Sequence, residues 1–146
     1  MKPETIYINY NHVNSVKYID DTRRIVFNFD YSVEIEANGE RKLISDYTYF
    51  DYKTDEEYEK AKEKYDGVLK IQQGFMRLTN NFYINFSRVS SIKAAMKNGK
   101  HRVIFNFSNS TSYRDEKNQK FITSDFMFLD FENEDEYTKF RTALGI

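Results

Sequence analysis

The sequence predicts an α+β protein built as two tandem ββββα repeats, with antiparallel sheets, one helix per repeat and pseudo-two-fold packing. Three observations predict it: an internal duplication, period-two apolar alternation early in each copy, and an acid-capped helical pattern closing each copy. Residues 7–17 lie over residues 83–93 with six identities in eleven positions. Residues 23–29 lie over 101–107 with four in seven, and residues 45–58 over 124–137 with five in fourteen, where Tyr47, Tyr49 and Tyr52 become Phe126, Phe128 and Phe131. The order of the blocks is kept and the offset drifts only from 76 to 79, so chance is a poor explanation.

Each copy is expected to begin with a half-buried strand, since Ile6, Ile8 and Tyr10, and likewise Phe82, Ile84 and Phe86, alternate with polar neighbours. The phase then breaks, with Val13 and Val16, and Val89 and Ile92, three apart, which predicts a corner or one helical turn before the next short strand. A long third strand follows, with Ile25, Phe27, Phe29, Tyr31, Val33 and Ile35 on one face. Asn38-Gly39 and Asn98-Gly99 predict type I′ hairpin turns, because both central residues there need positive φ. They fall at different junctions in the two copies. Thr54 with Glu57, and Asn133 with Glu136, predict helix starts in which a side chain caps orphan amides and acids meet the positive end of the dipole. Tyr58, Ala61 and Tyr65, and Tyr137, Phe140 and Leu144, form the apolar stripes of the two helices. The first helix extends toward Val68 and Leu69, with Gly74 as a stop. The expected organisation is a single compact domain over 1–146, its repeats spanning about 5–66 and 81–145 and joined by a partly helical segment 67–80.

The chain has 146 residues, 22 basic and 23 acidic side chains, two histidines, 13 Phe, 12 Tyr and no cysteine. At that length folding removes roughly two thirds of the extended chain's surface, enough for a real core. Without cysteine there is no disulfide framework, thiolate nucleophile or Cys-based metal site, and a cytoplasmic location is expected. No apolar run approaches the roughly 20 residues that span a bilayer, and Met1 to Thr5 lacks the apolar stretch of a signal peptide, so neither membrane insertion nor secretion is expected.

The five glycines are scattered singly, which excludes a Walker A loop and a dinucleotide fingerprint; no cofactor is expected. Neither His12 nor His101 has a partner at metal-ligand or triad spacing, so surface or hairpin roles are expected. Asp46 recurs as Asp125 and Asp51 as Asp130, a pattern open to acid and base chemistry. Salt bridges, for instance to Lys17 and Lys93, or strand-terminating roles are the stronger reading, and no enzyme is expected.

Charge separates the halves: residues 1–70 hold 11 basic and 15 acidic side chains, and residues 71–146 hold 11 and 8. Arg88, Lys93, Lys97, Lys100, Arg102, Tyr113 and Arg114 are the candidate binding residues, a basic and aromatic mixture of the kind that grips single strands. Units of strands followed by one helix, as in residues 81–107 followed by 121–144, resemble the layout of PUR repeats and related whirly-type single-strand binders. Val13-Asn14-Ser15-Val16-Lys17 before Arg24-Ile25-Val26-Phe27 is equally similar to the early strands of bacterial pleckstrin-homology-like domains, which implies binding of proteins or lipids. The leading expectation is a non-enzymatic interaction module that binds a protein or forms a homodimer, with an aromatic-rich sheet face, or the set Phe50, Tyr52, Met127, Leu129 and Phe131, as the contact surface. Single-stranded nucleic acid binding by the second repeat is the alternative.

Overall fold

The computed structural model describes residues 6–114, 117 and 120–146, with the side chains of 32–37, 40–45, 110–114 and 120–124 outside that description. The protein is α+β, with antiparallel sheets of five and three strands and two helices. The chain divides into two compact units, Met1–Arg88 and Val89–Ile146.

The first unit contains β1 (Val13–Ile19), β2 (Arg24–Ala37), β3 (Glu40–Asp51), α1 (Asp55–Ile71), β4 (Phe75–Thr79) and β5 (Phe82–Asn85), with sheet order β3-β2-β1-β5-β4. Inward-facing Val16, Tyr18, Ile25, Phe27 and Tyr83 pack against Tyr58, Ala61 and Leu69 of α1. The predicted caps form: Thr54 Oγ1 accepts from the Glu57 amide at 3.1 Å. The second unit contains β6 (Val89–Lys97), β7 (Lys100–Arg114), β8 (Lys120–Phe131) and α2 (Glu134–Leu144), with order β6-β7-β8. There Phe105 meets Phe140 edge-on, and Phe131 packs on Tyr137 and Phe140. Asn133 caps α2 by accepting from the Asp135 and Glu136 amides at 2.8 and 3.4 Å. Both Asn-Gly pairs have positive φ at both residues, as type I′ turns require. Among the described residues, no helix is long and apolar enough to cross a membrane.

Three expectations are corrected. Four strands per repeat becomes five and three, because Phe82–Asn85 joins the first unit's sheet, pairing Ser15↔Ile84, Val16↔Tyr83 and Lys17↔Phe82. Alternation identifies an extended segment but not the sheet that receives it. The segment from Ile6 to Asn9 is not a strand; it leads into a 3-10 turn, Tyr10–His12, which Asn9 opens by accepting from the Asn11 amide. The joining segment 67–80 contains the last turn of α1, which ends at Ile71, and then β4. Finally, a register shift between Asn28 and Ser32 breaks the long face of β2, and Tyr31 is exposed while Phe27 is fully buried. Bulges of this kind rotate the residues beyond them away from the face they began on.

Gly74 joins α1 to β4 at φ +93°, and a Cβ there would stand 2.6 Å from Asn85 Oδ1. That oxygen is already committed, accepting from the Ser87 amide at 3.1 Å, while Asn85 Nδ2 donates to the Val13 carbonyl at 2.9 Å. The bend therefore accepts only glycine without moving a buried asparagine.

Burial pushes the Tyr10, Tyr52 and Tyr83 hydroxyls up to about 12 and Tyr18 further. For Tyr83 and Tyr18 the hydrogen bond to Asp66 adds to the effect. Because folding raises these values, their contribution is fully present below the unfolded pKa of about 10 and is lost as pH climbs through the folded values. A urea titration series is expected to give constant stability from pH 7 to about 9 and a progressive fall between about 10 and 12, in step with tyrosinate absorbance. Constant stability across that upper range would contradict these buried hydroxyls.

Candidate interaction surface

On the sheet faces opposite the helices, the two units carry equivalent rows in the same register, with the serine, asparagine, lysine, arginine and aspartate identical and a ring at the same two places. In the first unit, three rows cross β1, β2 and β3: Ser15–Asn28–Tyr47, Lys17–Val26–Tyr49 and Ile19–Arg24–Asp51. In the second, the rows across β6, β7 and β8 are Ser91–Asn106–Phe126, Lys93–Ile104–Phe128 and Ala95–Arg102–Asp130. Asn28 Nδ2 donates to Ser15 Oγ at 3.1 Å and Asn106 Nδ2 to Ser91 Oγ at 3.2 Å.

The last two rows form an arginine clamp. Arg24 donates Nε to Asp51 Oδ1 at 2.7 Å and Nη2 to Oδ2 at 3.0 Å, and its guanidinium lies 3.9 Å from the centre of the Tyr49 ring. Arg102 and Asp130 repeat the fork at 2.6 and 2.9 Å, with the guanidinium 3.7 Å from the Phe128 centre. The forks hold Asp51 and Asp130 below the usual carboxylate range and raise both guanidinium groups. Exposed pairs of this type contribute about 0–1 kcal/mol to stability, so what the clamp chiefly supplies is a fixed ring orientation. A second ring stacks beside each clamped one, Tyr47 at 6.2 Å from Tyr49 and Phe126 at 6.5 Å from Phe128. These four rings are 43–56% exposed.

The set Phe50, Tyr52, Met127, Leu129 and Phe131 lies elsewhere. Phe50 meets Phe27 edge-on and stacks on Tyr65, Tyr52 packs on Tyr58, and Phe131 packs on Phe140, so these rings line the helix side. Met127 and Leu129 are half-buried. The sequence did hold the signal: Tyr47 and Tyr49 recur as Phe126 and Phe128 two apart, with Arg24 and Asp51 recurring as Arg102 and Asp130.

The candidate basic residues occupy separate places. Arg88 closes the 3-10 turn before β6 and pairs with Asp30, which also accepts from His12 Nδ1 at 2.8 Å. Lys97 and Lys100 flank the Asn98-Gly99 turn, with Lys100 3.6 Å from Glu132. Lys93 is exposed in the middle row and Arg102 belongs to the clamp. Tyr113 and Arg114 lie at the far end of β7, roughly 45 Å from Lys100 at the rise of an extended strand, and their side chains fall outside the described residues. Asp46 receives the Tyr31 hydroxyl, and Asp125 the Asn109 amide. His101 stacks on Tyr137 at 4.5 Å.

Compared with known proteins, the chain matches no family, no curated protein and no solved structure. Its own geometry is what bears on function.

Proposed function

We propose that this protein is a non-enzymatic, cytoplasmic interaction module that binds a protein partner or a second copy of itself through the ring-bearing faces of its sheets. The observation that carries the reading is the pair of stacked, exposed rings in each unit, Tyr47 with Tyr49 and Phe126 with Phe128, each held by an Arg–Asp fork. Solvent gains nothing from rigid exposed rings, whereas aromatic residues and arginine are the side chains enriched at protein contacts and their energetic centres. Each face carries one lysine, one arginine and one aspartate among its nine residues, a charge too small to favour phosphate over protein. The matching registers support reading the two units as copies of one ancestral repeat.

Phe126→Ala with Phe128→Ala is the direct test, and circular dichroism should be unchanged because both rings stand outside the core. Affinity capture from the source cells, compared with wild type, is expected to lose at least tenfold of the bound partner, since anchor rings contribute more than about 1 kcal/mol each. Equal recovery by both proteins removes this face as the contact.

A second reading has its own support: Lys17 and Lys93 share their rows with Tyr49 and Phe128, a cation beside a base-stacking ring. Fluorescence anisotropy with a labelled single-stranded oligonucleotide decides it. Binding that weakens steeply with salt supports nucleic acid, and none at micromolar protein in low salt removes it.

A further inference from the structure

The two units differ at one edge. In the first, β1 is flanked on both sides, by β2 and by the short β5. In the second, β6 carries the same chemistry and the same register against its long neighbour, yet among the described residues it pairs only with β7. The side-chain cover differs accordingly. Val13, Val16 and Tyr18 of β1 are buried, whereas Val89 and Ile92 of β6 are half-buried and Ala94 is exposed. What covers β1 is β5, whose Tyr83 sits opposite Val16, is itself buried and stacks edge-on against Tyr18.

The duplication identifies the segment equivalent to β5. Tyr7-Ile8-Asn9 repeats Tyr83-Ile84-Asn85, and both asparagines then turn the chain by accepting from the amide two residues on. Among the described residues Ile6 to Asn9 has no strand partner, and Tyr7 is 90% exposed. Ile8 and Tyr10 meanwhile pack on the first unit's core, which anchors the segment at one end. Among the described residues, an edge without a second neighbour and a segment matching the occupant of the equivalent edge therefore stand in the same chain.

We propose that two copies of this protein exchange these strands: residues 6–9 of each copy add antiparallel to β6 of the other, in the register Ser91↔Ile8, Ile92↔Tyr7 and Lys93↔Ile6. That register is the β1–β5 pairing transferred residue by residue. The contact is isologous, since each chain donates one segment and accepts one, so the assembly closes at two copies. It uses the edge of the sheet rather than the ring-bearing face, and so goes beyond the preceding reading.

The absence of native cysteine makes the test clean. Facing residues of an antiparallel pair have Cα atoms about 4.5–5.5 Å apart, within disulfide range, whereas a residue four further along is roughly 13 Å away. Tyr7→Cys with Ile92→Cys, oxidised at 100 µM with mild oxidant, is expected to run on a non-reducing gel at twice 17.6 kDa. Tyr7→Cys with Met96→Cys is expected to stay at the monomer position. Wild type is expected to sediment as a dimer at the same concentration, and Phe126→Ala with Phe128→Ala to remain one, which separates this contact from the face. A monomeric wild type, no disulfide in the 7/92 pair, a bond within one chain, or equal cross-linking of both pairs each overturns the exchange.

Discussion

Phe27→Ala is expected to lower the unfolding free energy by about 3–5 kcal/mol, the range for removing a phenyl group from a packed interior. Phe27 is wholly buried and meets Tyr10, Phe50 and Tyr65 edge-on at 6.3, 5.9 and 5.1 Å between ring centres. Edge-on pairs contribute about 0.5–1.5 kcal/mol beyond the area they bury, so the truncation loses three such contacts as well as leaving a void. The surrounding rings are large and flat, and cannot collapse into the space as a short aliphatic chain would. Urea titration is the measurement, with Phe27→Leu expected to recover more than half of the loss. A cost below about 1 kcal/mol for the alanine variant would mean that α1 does not rest on this cluster.

The second large effect is expected at Asp66. Its Oδ1 accepts from the Tyr18 hydroxyl at 2.8 Å and the Tyr83 hydroxyl at 2.6 Å, and both rings are buried. Asp66→Ala strands two phenolic donors, and an unsatisfied buried donor costs about 1–3 kcal/mol. Tyr18 retains a long contact to the Lys62 carbonyl at 3.4 Å, so the expected total is about 2–4 kcal/mol. Tyr18→Phe with Tyr83→Phe removes the donors together with the need for an acceptor. In that background Asp66→Ala should therefore cost much less than in the wild type. Equal costs in the two backgrounds would show that the carboxylate acts through something other than these hydroxyls.

Local rules were legible in the sequence wherever one segment determines its own shape. The Thr54 and Asn133 caps, the two Asn-Gly turns and the Tyr58, Ala61 stripe all depend on near neighbours, and all form. What could not be read was any property that requires a second segment. Nothing within Phe82 to Asn85 says that its hydrogen bonds go to β1, and nothing within β2 says where the extra residues of its bulge fall. The candidate surface was hidden for a related reason. Alternating aromatic residues on both faces of β3 and β8 leave the inward side ambiguous, and the helices decide it by covering Phe50 and Phe131. The basic residues of the second half are close in sequence but strung along a hairpin, where sequence proximity and spatial convergence part company.

Asp30 joins the turn before β1 to the end of the first unit, since one oxygen receives both His12 and Arg88. Residues 12 and 88 are therefore neighbours, and the chain between them is very nearly a closed circuit. A module with adjoining ends can be threaded into a loop of a host protein, or cut elsewhere and rejoined across the gap, with little distortion. The clasp at Asp30 brings residues 12 and 88 within reach of a short splice.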